Sequence, residues 1–438
     1  MPIEAVPGTN LTYYLIAFDA AGNERTEASG EKLSRRVEEI LAREPITDVF
    51  LMSHGWKGDL PGAREQYERW IGAMAQCNDD IAQMRQTRPD FRPLLIGLHW
   101  PSLPYGDESM SGGVSFSVSG DAVEVLIDQA AERIADTPAA RAALRIIFNA
   151  AAEEVAPASL PPDVRAAYTA LNREAALGDE GVTGAPGADR EPFDPEHFYQ
   201  AIQQDPVSFG GYATGGILSL LQQLSFWKMK DRARQFGENG GFELLTSLQR
   251  RAPAERNVRF HLMGHSFGCI VVSATLAGPG GRGILVRQVD SVALVQGALS
   301  LWSYCSNIPM AAGKAGYFAS VVAEKKIAGP LVTTQSEFDT AVGRLYPWAA
   351  GVARQVMFGP GELPEYGAIG TFGIRGSGPD IVDLQLLPAN GTYSFAPGKV
   401  YNLESSQYIR EGTGLAGAHS DITHAEVTHA VWQAALVQ

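Results

Sequence analysis

Short, uninterrupted apolar runs recur along this chain and constrain its fold more than any other feature of the sequence. Residues 11–18 (LTYYLIAF), 47–53 (TDVFLMS), 94–100 (LLIGLHW), 258–263 (VRFHLM), 291–295 (SVALV), 331–334 (LVTT) and 400–403 (VYNL) are each bounded by Gly, Pro or polar residues. Runs of this length predict strands, and apolar residues at successive positions predict burial on both faces. Helical periodicity occupies the chain between several of them. Leu33, Val37, Ile40 and Leu41 share one face of residues 31–43, and Tyr67, Trp70, Ile71, Met74 and Ile81 one face of residues 61–85. Buried strands alternating with helices predict an α/β fold with a mostly parallel sheet covered on both sides.

Two stretches interrupt the alternation. Residues 101–257 are far more chain than one crossover helix needs. They hold a Gly/Ser-rich piece (111–120), a long Ala-rich helical pattern (121–156) and a Gly/Pro/Asp-rich stretch (178–195) with the composition of an exposed loop. The locally basic residues 227–234 (WKMKDRAR) read as the start of the helix before the run at 258. Residues 357–399, rich in Gly and Pro, look like a second, smaller insertion. The expected organisation is one domain over 1–438, with a core of 10–108 and 225–438. Residues 109–224 form a helical lid or cap between the fourth and fifth strands, and 357–399 a small Gly/Pro-rich insertion. Val123, Leu126, Ile127, Ala130 and Ile134 give the larger insertion an apolar face. That face covers the functional pocket, packs on the flank of the sheet, or makes a homodimer contact.

With 438 residues, 45% of them hydrophobic and 19% charged, the chain can bury a sizeable core. Its 35 Lys+Arg against 49 Asp+Glu leave a net charge of −14, which argues against a nucleic-acid partner because no basic excess exists to displace counterions. Cys77, Cys269 and Cys305 are far apart, so neither a disulfide framework nor a cysteine metal site is expected. The first basic residue is Arg25, a poor start for a signal peptide, and no apolar stretch is long enough to span a bilayer. The expectation is a soluble, cytoplasmic protein.

The chemistry concentrates at Gly264-His265-Ser266-Phe267-Gly268, which follows the run 258–263 directly and precedes residues 269–276 (CIVVSATL), a buried-helix pattern. The bare G-x-S-x-G pattern is weak. Strand, sharp turn and helix around it are not, because that geometry pushes a serine into a strained, exposed position and needs glycines where backbones pass closely. At these residues the chain resembles the α/β-hydrolase superfamily and its lipase- and esterase-like branches. The likeness covers about residues 10–105, 226–350 and 398–438, and implies a doubly wound, mostly parallel sheet with antiparallel strands at the N-terminal edge.

The resemblance implies that Ser266 is the nucleophile. His54-Gly55-Trp56, after a buried strand, is similar to the family's oxyanion-hole motif, so the backbone N–H groups of Trp56 and Phe267 would hold the oxyanion while His54 anchors the loop. The acid is expected after the sixth or seventh strand. No carboxylate follows 291–295 until Glu324, whereas residues 335–343 (QSEFDTAVG) offer two. The S-x-x-D run there is similar to the family's acid loop, which favours Asp339 with Glu337 in reserve; alternatively Asp339 only caps the helix that follows. For the base, His419 sits in a Gly-rich loop before a helix capped by Ser420 or Asp421, while His424 and His429 fall inside that helix as surface or packing residues.

His261 and His265 have the i,i+4 spacing of metal ligands but straddle a strand and a turn, so no metal is expected. His99-Trp100-Pro101 lies at a strand end, lining the pocket or packed. No phosphate- or dinucleotide-binding fingerprint occurs in a strand–helix context, so no cofactor is expected. The expected activity is a serine hydrolase acting on a lipid or small acyl ester through an acyl-serine intermediate. Acyl transfer to another acceptor, amide or peptide cleavage by the same residues, and a catalytically silent binding protein are the alternatives.

Overall fold

The computed structural model describes residues 3–56, 60–102, 120–204, 216–342, 363–412 and 417–437. Among these residues nine strands form one sheet: β1 (Ile3–Ala5), β2 (Thr12–Ala17), β3 (Asp48–Ser53), β4 (Pro93–His99), β5 (Arg259–His265), β6 (Ser291–Val295), β7 (Leu331–Gln335), β8 (Ile381–Gln385) and β9 (Val400–Glu404). Their order across the sheet is β1-β2-β4-β3-β5-β6-β7-β9-β8. Only β1 and β2, at the N-terminal edge, are antiparallel; the other pairs are parallel. Chain direction across the sheet reverses at β3: β4 lies on one side of it and β5 on the other. Ligands of open α/β sheets bind at the carboxyl ends of the strands at such a reversal.

The central strands β3, β5 and β6 are buried at every residue, and alternate side chains enter two separate cores. Val49, Leu51, Phe260 and Leu262 face one side. There they meet Val37 and Leu41 of α1 (Leu33–Arg43), together with Met229, Leu244 and Val271. Phe50, Met52 and Met263 face the other, against Tyr67 and Trp70 of α2 (Leu60–Gln76), Met84 of α3 (Asn78–Thr87) and the C-terminal helix Ala425–Leu436.

Between β4 and β5 the described chain is helical: α4 (Gly120–Arg133), α5 (Pro138–Glu153), α6 (Pro162–Glu174), α7 (Pro195–Gln204), α8 (Ser219–Phe236) and α9 (Phe242–Arg251). The single helix expected over 121–156 is broken, because Pro138 starts a new helix and the Thr137 hydroxyl caps it by accepting from the Ala140 amide. Ile127, Ala130 and Ile134 pack against α5 to α8 in a third apolar cluster, with Val123 and Leu126 at its margin. The apolar face of α4 is thus covered by its own neighbours. Helix α8 passes unbroken through residue 225, with Leu220, Leu221 and Leu224 in the third cluster and Met229, Ala233 and Phe236 against the sheet.

One further expectation changes. The stretch 178–195 is not simply an exposed loop. Arg190 is fully buried, donating to the Gly178 carbonyl (2.9 Å) and to Asn172 Oδ1 (2.7 Å), with its guanidinium 4.1 Å from the Trp227 ring. Asp189 holds the buried Lys230 ammonium at 2.6 Å. Composition alone cannot reveal charges paired inside. The described part of 357–399 supplies edge strand β8, whose Asp383, Leu384 and Gln385 are exposed. No helix among the described residues is long and apolar enough to cross a membrane.

Candidate active site

Strand β5 delivers its carboxyl end into a turn at Ser266, and α10 (Gly268–Ala277) starts two residues later. Ser266 has φ +57°, a left-handed conformation that costs a residue with a side chain about 1–2 kcal/mol. Backbone bonds hold it there: its N–H donates to Val295 O (3.2 Å), and its carbonyl accepts from Cys269 (3.1 Å) and Ala298 (3.2 Å). The flanking glycines are steric requirements. A Cβ on Gly264 would lie 2.5 Å from the Gly268 carbonyl oxygen, and one on Gly268 would lie 2.3 Å from the Ser53 carbonyl oxygen at the end of β3. Strand, elbow and helix close up only because neither position carries a side chain.

A line of hydrogen bonds leads away from the elbow. Ser266 Oγ is 2.7 Å from His419 Nε2, and His419 Nδ1 is 2.8 Å from Asp339 Oδ2. Asp339 follows β7 and is fully buried, while the His419 side chain keeps 12% exposure. Asp339 makes two bonds of different kinds: Oδ2 holds the imidazole, while Oδ1 accepts the Val342 amide (3.2 Å) as a cap does. The loop carrying His419 is tied down on both sides. Ala418 N–H donates to Phe338 O (2.9 Å), and Asp421 accepts the amides of Arg410 (3.0 Å) and Glu411 (2.8 Å).

The remaining predicted residues divide. Glu337 is exposed and outside this line, with its amide on Ser406 Oγ (3.0 Å). His424 is the residue before the C-terminal helix rather than inside it, and its Nε2 meets Asp421 (2.7 Å), so neither Ser420 nor Asp421 is the helix cap. His429 is buried in that helix, between the Asp80 carboxylate (2.8 Å) and Gly391 O (3.1 Å). His261 and His265 point to different ends of β5 and share no ligand position. No three His, Cys, Asp or Glu side chains gather into a metal-binding array among the described residues.

His54 is fully buried and holds the loop after β3. Its Nδ1–H donates to Gly55 O (2.8 Å), its Nε2 accepts from the Trp100 amide (3.4 Å), and its own amide donates to Tyr67 Oη (2.8 Å). Burial, aided by the nearby His99, pushes its pKa down to about 3, so it stays neutral. His99 is buried at 3.2 Å from it, packed rather than lining an open pocket. Gly55 lies against the serine, since a Cβ there would come 2.8 Å from Ser266 Cβ. The half-buried Trp56 ring packs on Phe267 (5.5 Å) and on Phe226 of α8 (5.4 Å). Phe267 is the N-cap residue of α10, so its amide lies at the helix N-terminus, where N–H groups lack intrahelical acceptors and favour negative charge.

Sequence reasoning missed Gln296. Directly after β6, at φ +45° and fully buried, it donates from Nε2 to Asp339 Oδ2 (2.8 Å) and to Gly370 O (3.0 Å). Its Oε1 accepts from Thr334 Oγ1 (2.8 Å). The position after the sixth strand has no carboxylate of its own; it supplies the donor that orients the carboxylate from the next strand. A glutamine after a strand carries no sequence signal for that role.

Chemically, the imidazole can accept the Ser266 proton, and Asp339 can hold and charge-balance the imidazolium that results. A groove of about 390 Å³ lined by Val382, Leu384, Leu387, Tyr393 and Tyr401 lies at edge strand β8, four places across the sheet from β5, and contains none of these residues. Compared with known proteins, the chain matches no family model, no curated protein and no solved structure.

Proposed function

We propose that the protein is a serine hydrolase of the α/β-hydrolase type that cleaves carboxylic esters of lipid or small acyl compounds. One observation carries the reading: a serine held at positive φ between β5 and α10, in hydrogen-bond line with His419 and Asp339. Its place at the carboxyl ends of the strands, where chain direction reverses, supports it further.

In this reading Ser266 Oγ attacks the ester carbonyl carbon as its proton passes to His419 Nε2. The carbonyl π electrons move onto oxygen, and the N–H groups of Phe267 and Trp56 receive that charge, each contributing on the order of 3 kcal/mol to the barrier reduction. Collapse expels the alcohol, which takes the proton back from His419, and leaves the acyl group on Ser266. Water, deprotonated by the same imidazole, attacks the acyl-serine and releases the acid. Asp339 and Gln296 keep Nδ1–H directed along the line throughout. No cofactor is needed.

Rapid acid quench during turnover of a p-nitrophenyl ester, read by intact mass, tests the reading. The expected result is one added acyl group per chain, on the peptide containing Ser266. Turnover with no acyl adduct, or an adduct elsewhere, overturns it.

A further inference from the structure

The elbow histidine, His265, has no part in the chemistry above, yet it is buried and bonded on both ring nitrogens. Its Nδ1 faces Gln66 Nε2 (3.3 Å), and its Nε2 faces the main-chain carbonyl of His419 (2.9 Å). Gln66 in turn offers Oε1 to the Gly55 amide at 3.5 Å, the longest step. The two ends of this chain can each play only one part: a backbone N–H donates and a carbonyl accepts. Gln66 must therefore turn its oxygen toward Gly55 and its NH2 toward His265. His265 must then accept at Nδ1 and donate from Nε2. Every proton in the relay points the same way.

We propose, resting on the serine-hydrolase reading, that Gln66 and His265 are positioning residues, whose relay holds the oxyanion loop at Gly55 and the base at His419 in register with Ser266. The three pieces come from three separate loops, after β3, after β5 and near the C-terminus, and the relay crosses all of them. Its anchor is α2, which places Gln66 on the relay, Tyr67 on the His54 amide and Trp70 against the His265 ring, with centroids 6.1 Å apart. On its far side the His419 loop is fixed through Phe338 and Asp421; the bond from His265 ties its main chain to the elbow, beside the side-chain bond of His419 to Ser266. Burial, and the proximity of His419, push the His265 pKa down to about 3. The relay thus keeps one tautomer and places no charge beside the base, whose ring centre is 5.0 Å away.

The test combines variants with imidazole ¹⁵N NMR of the full chain. His265→Leu and Gln66→Leu should lower kcat about 10- to 100-fold, the scale expected when a reacting group is misplaced by about 1 Å, with KM and thermal midpoint little changed. His265→Gln, which keeps a donor within reach of the carbonyl, should recover to within about fivefold of the parent. In the parent, His265 should be protonated at Nε2 alone and should not titrate between about pH 5 and 8. A folded His265→Leu with parental kcat, or a His265 protonated at Nδ1, overturns the relay. If His265→Leu does not fold, Gln66→Leu on a half-buried side chain decides the matter by the same kcat criterion. A parent that neither turns over esters nor reacts with a fluorophosphonate overturns the hydrolase reading instead, whatever the tautomer shows.

Discussion

The sheet carries two lines of serine, histidine and aspartate, at opposite ends of β5, and the backbone presents them differently. At the carboxyl end stand Ser266, His419 and Asp339. At the amino end, Ser291 Oγ is 2.8 Å from His261 Nδ1, and His261 Nε2 is 3.1 Å from Asp48 Oδ1. The donor order is the same, with the imidazole reversed. The backbone around the serine differs. Ser291 is an ordinary residue within β6, and its partners come from the neighbouring β3 and β5, so the line joins three strands. Asp48 is also held by Arg88 (2.7 Å) and Thr47 (2.6 Å). Burial alone would raise the Asp48 pKa, but the hydrogen bonds and charges around it outweigh burial and lower it. Ser266 instead stands at a positive-φ elbow ahead of a helix N-terminus, where backbone N–H groups lack intrahelical acceptors. On the proposed reading, the same three residue types make a structural clamp at one end of β5 and a reactive centre at the other, according to the backbone that presents them.

The largest expected contrast is between the two serines. Ser266→Ala should lower ester turnover by up to about a million-fold with an unchanged thermal midpoint. Ser291→Ala should leave turnover per folded molecule intact and cost about 1–2 kcal/mol in denaturant unfolding, because His261 Nδ1 loses its donor. Comparable loss of turnover in both would erase the distinction.

The carboxylates should separate next. Asp339→Asn should reduce kcat about 10⁴-fold, while exposed Glu337→Gln stays within about twofold of the parent. Asp48→Asn should spare kcat and destabilise by about 3–5 kcal/mol, since it leaves Arg88 without its buried partner. Gln296→Leu should fall between, with kcat reduced about tenfold and KM unchanged, because it frees the carboxylate to turn without removing it.

The last contrast is in pH-dependent stability. Burial lowers the pKa of His54 and His265 to about 3, and lowers that of His261 despite its bond to Asp48. Unfolded imidazoles titrate near 6.5, so on acidification the unfolded chain takes up protons that the folded chain refuses. The stabilisation is complete above about pH 6.5 and is lost as pH falls toward about 3, by at most about 1.4 kcal/mol per unit for each histidine. Urea midpoints across this range should show it, and His261→Asn should flatten part of the slope without altering kcat at neutral pH. A slope unchanged in that variant would mean that His261 is protonated in the fold.

The sequence made the central strands legible because they are buried on both faces and therefore apolar at every position. The elbow was legible because glycine is forced at 264 and 268 by close backbone approach. Edge strand β8 was not, since Asp383, Leu384 and Gln385 face solvent and leave no apolar run. The buried pair Asp189–Lys230 was hidden for the opposite reason: it is charged sequence in a buried place, paired only through the tertiary fold. Gln296 and the Gln66–His265 relay were invisible because their meaning lies in which atoms they face.

The central claim is that backbone presentation makes Ser266, and not Ser291, the reactive serine. Treating the intact protein with a fluorophosphonate and mapping the adduct by peptide mass tests it most directly. The account predicts one adduct per chain, on Ser266, absent from Ser266→Ala and retained in Ser291→Ala. Labelling at Ser291, or no labelling of the folded parent, would contradict it.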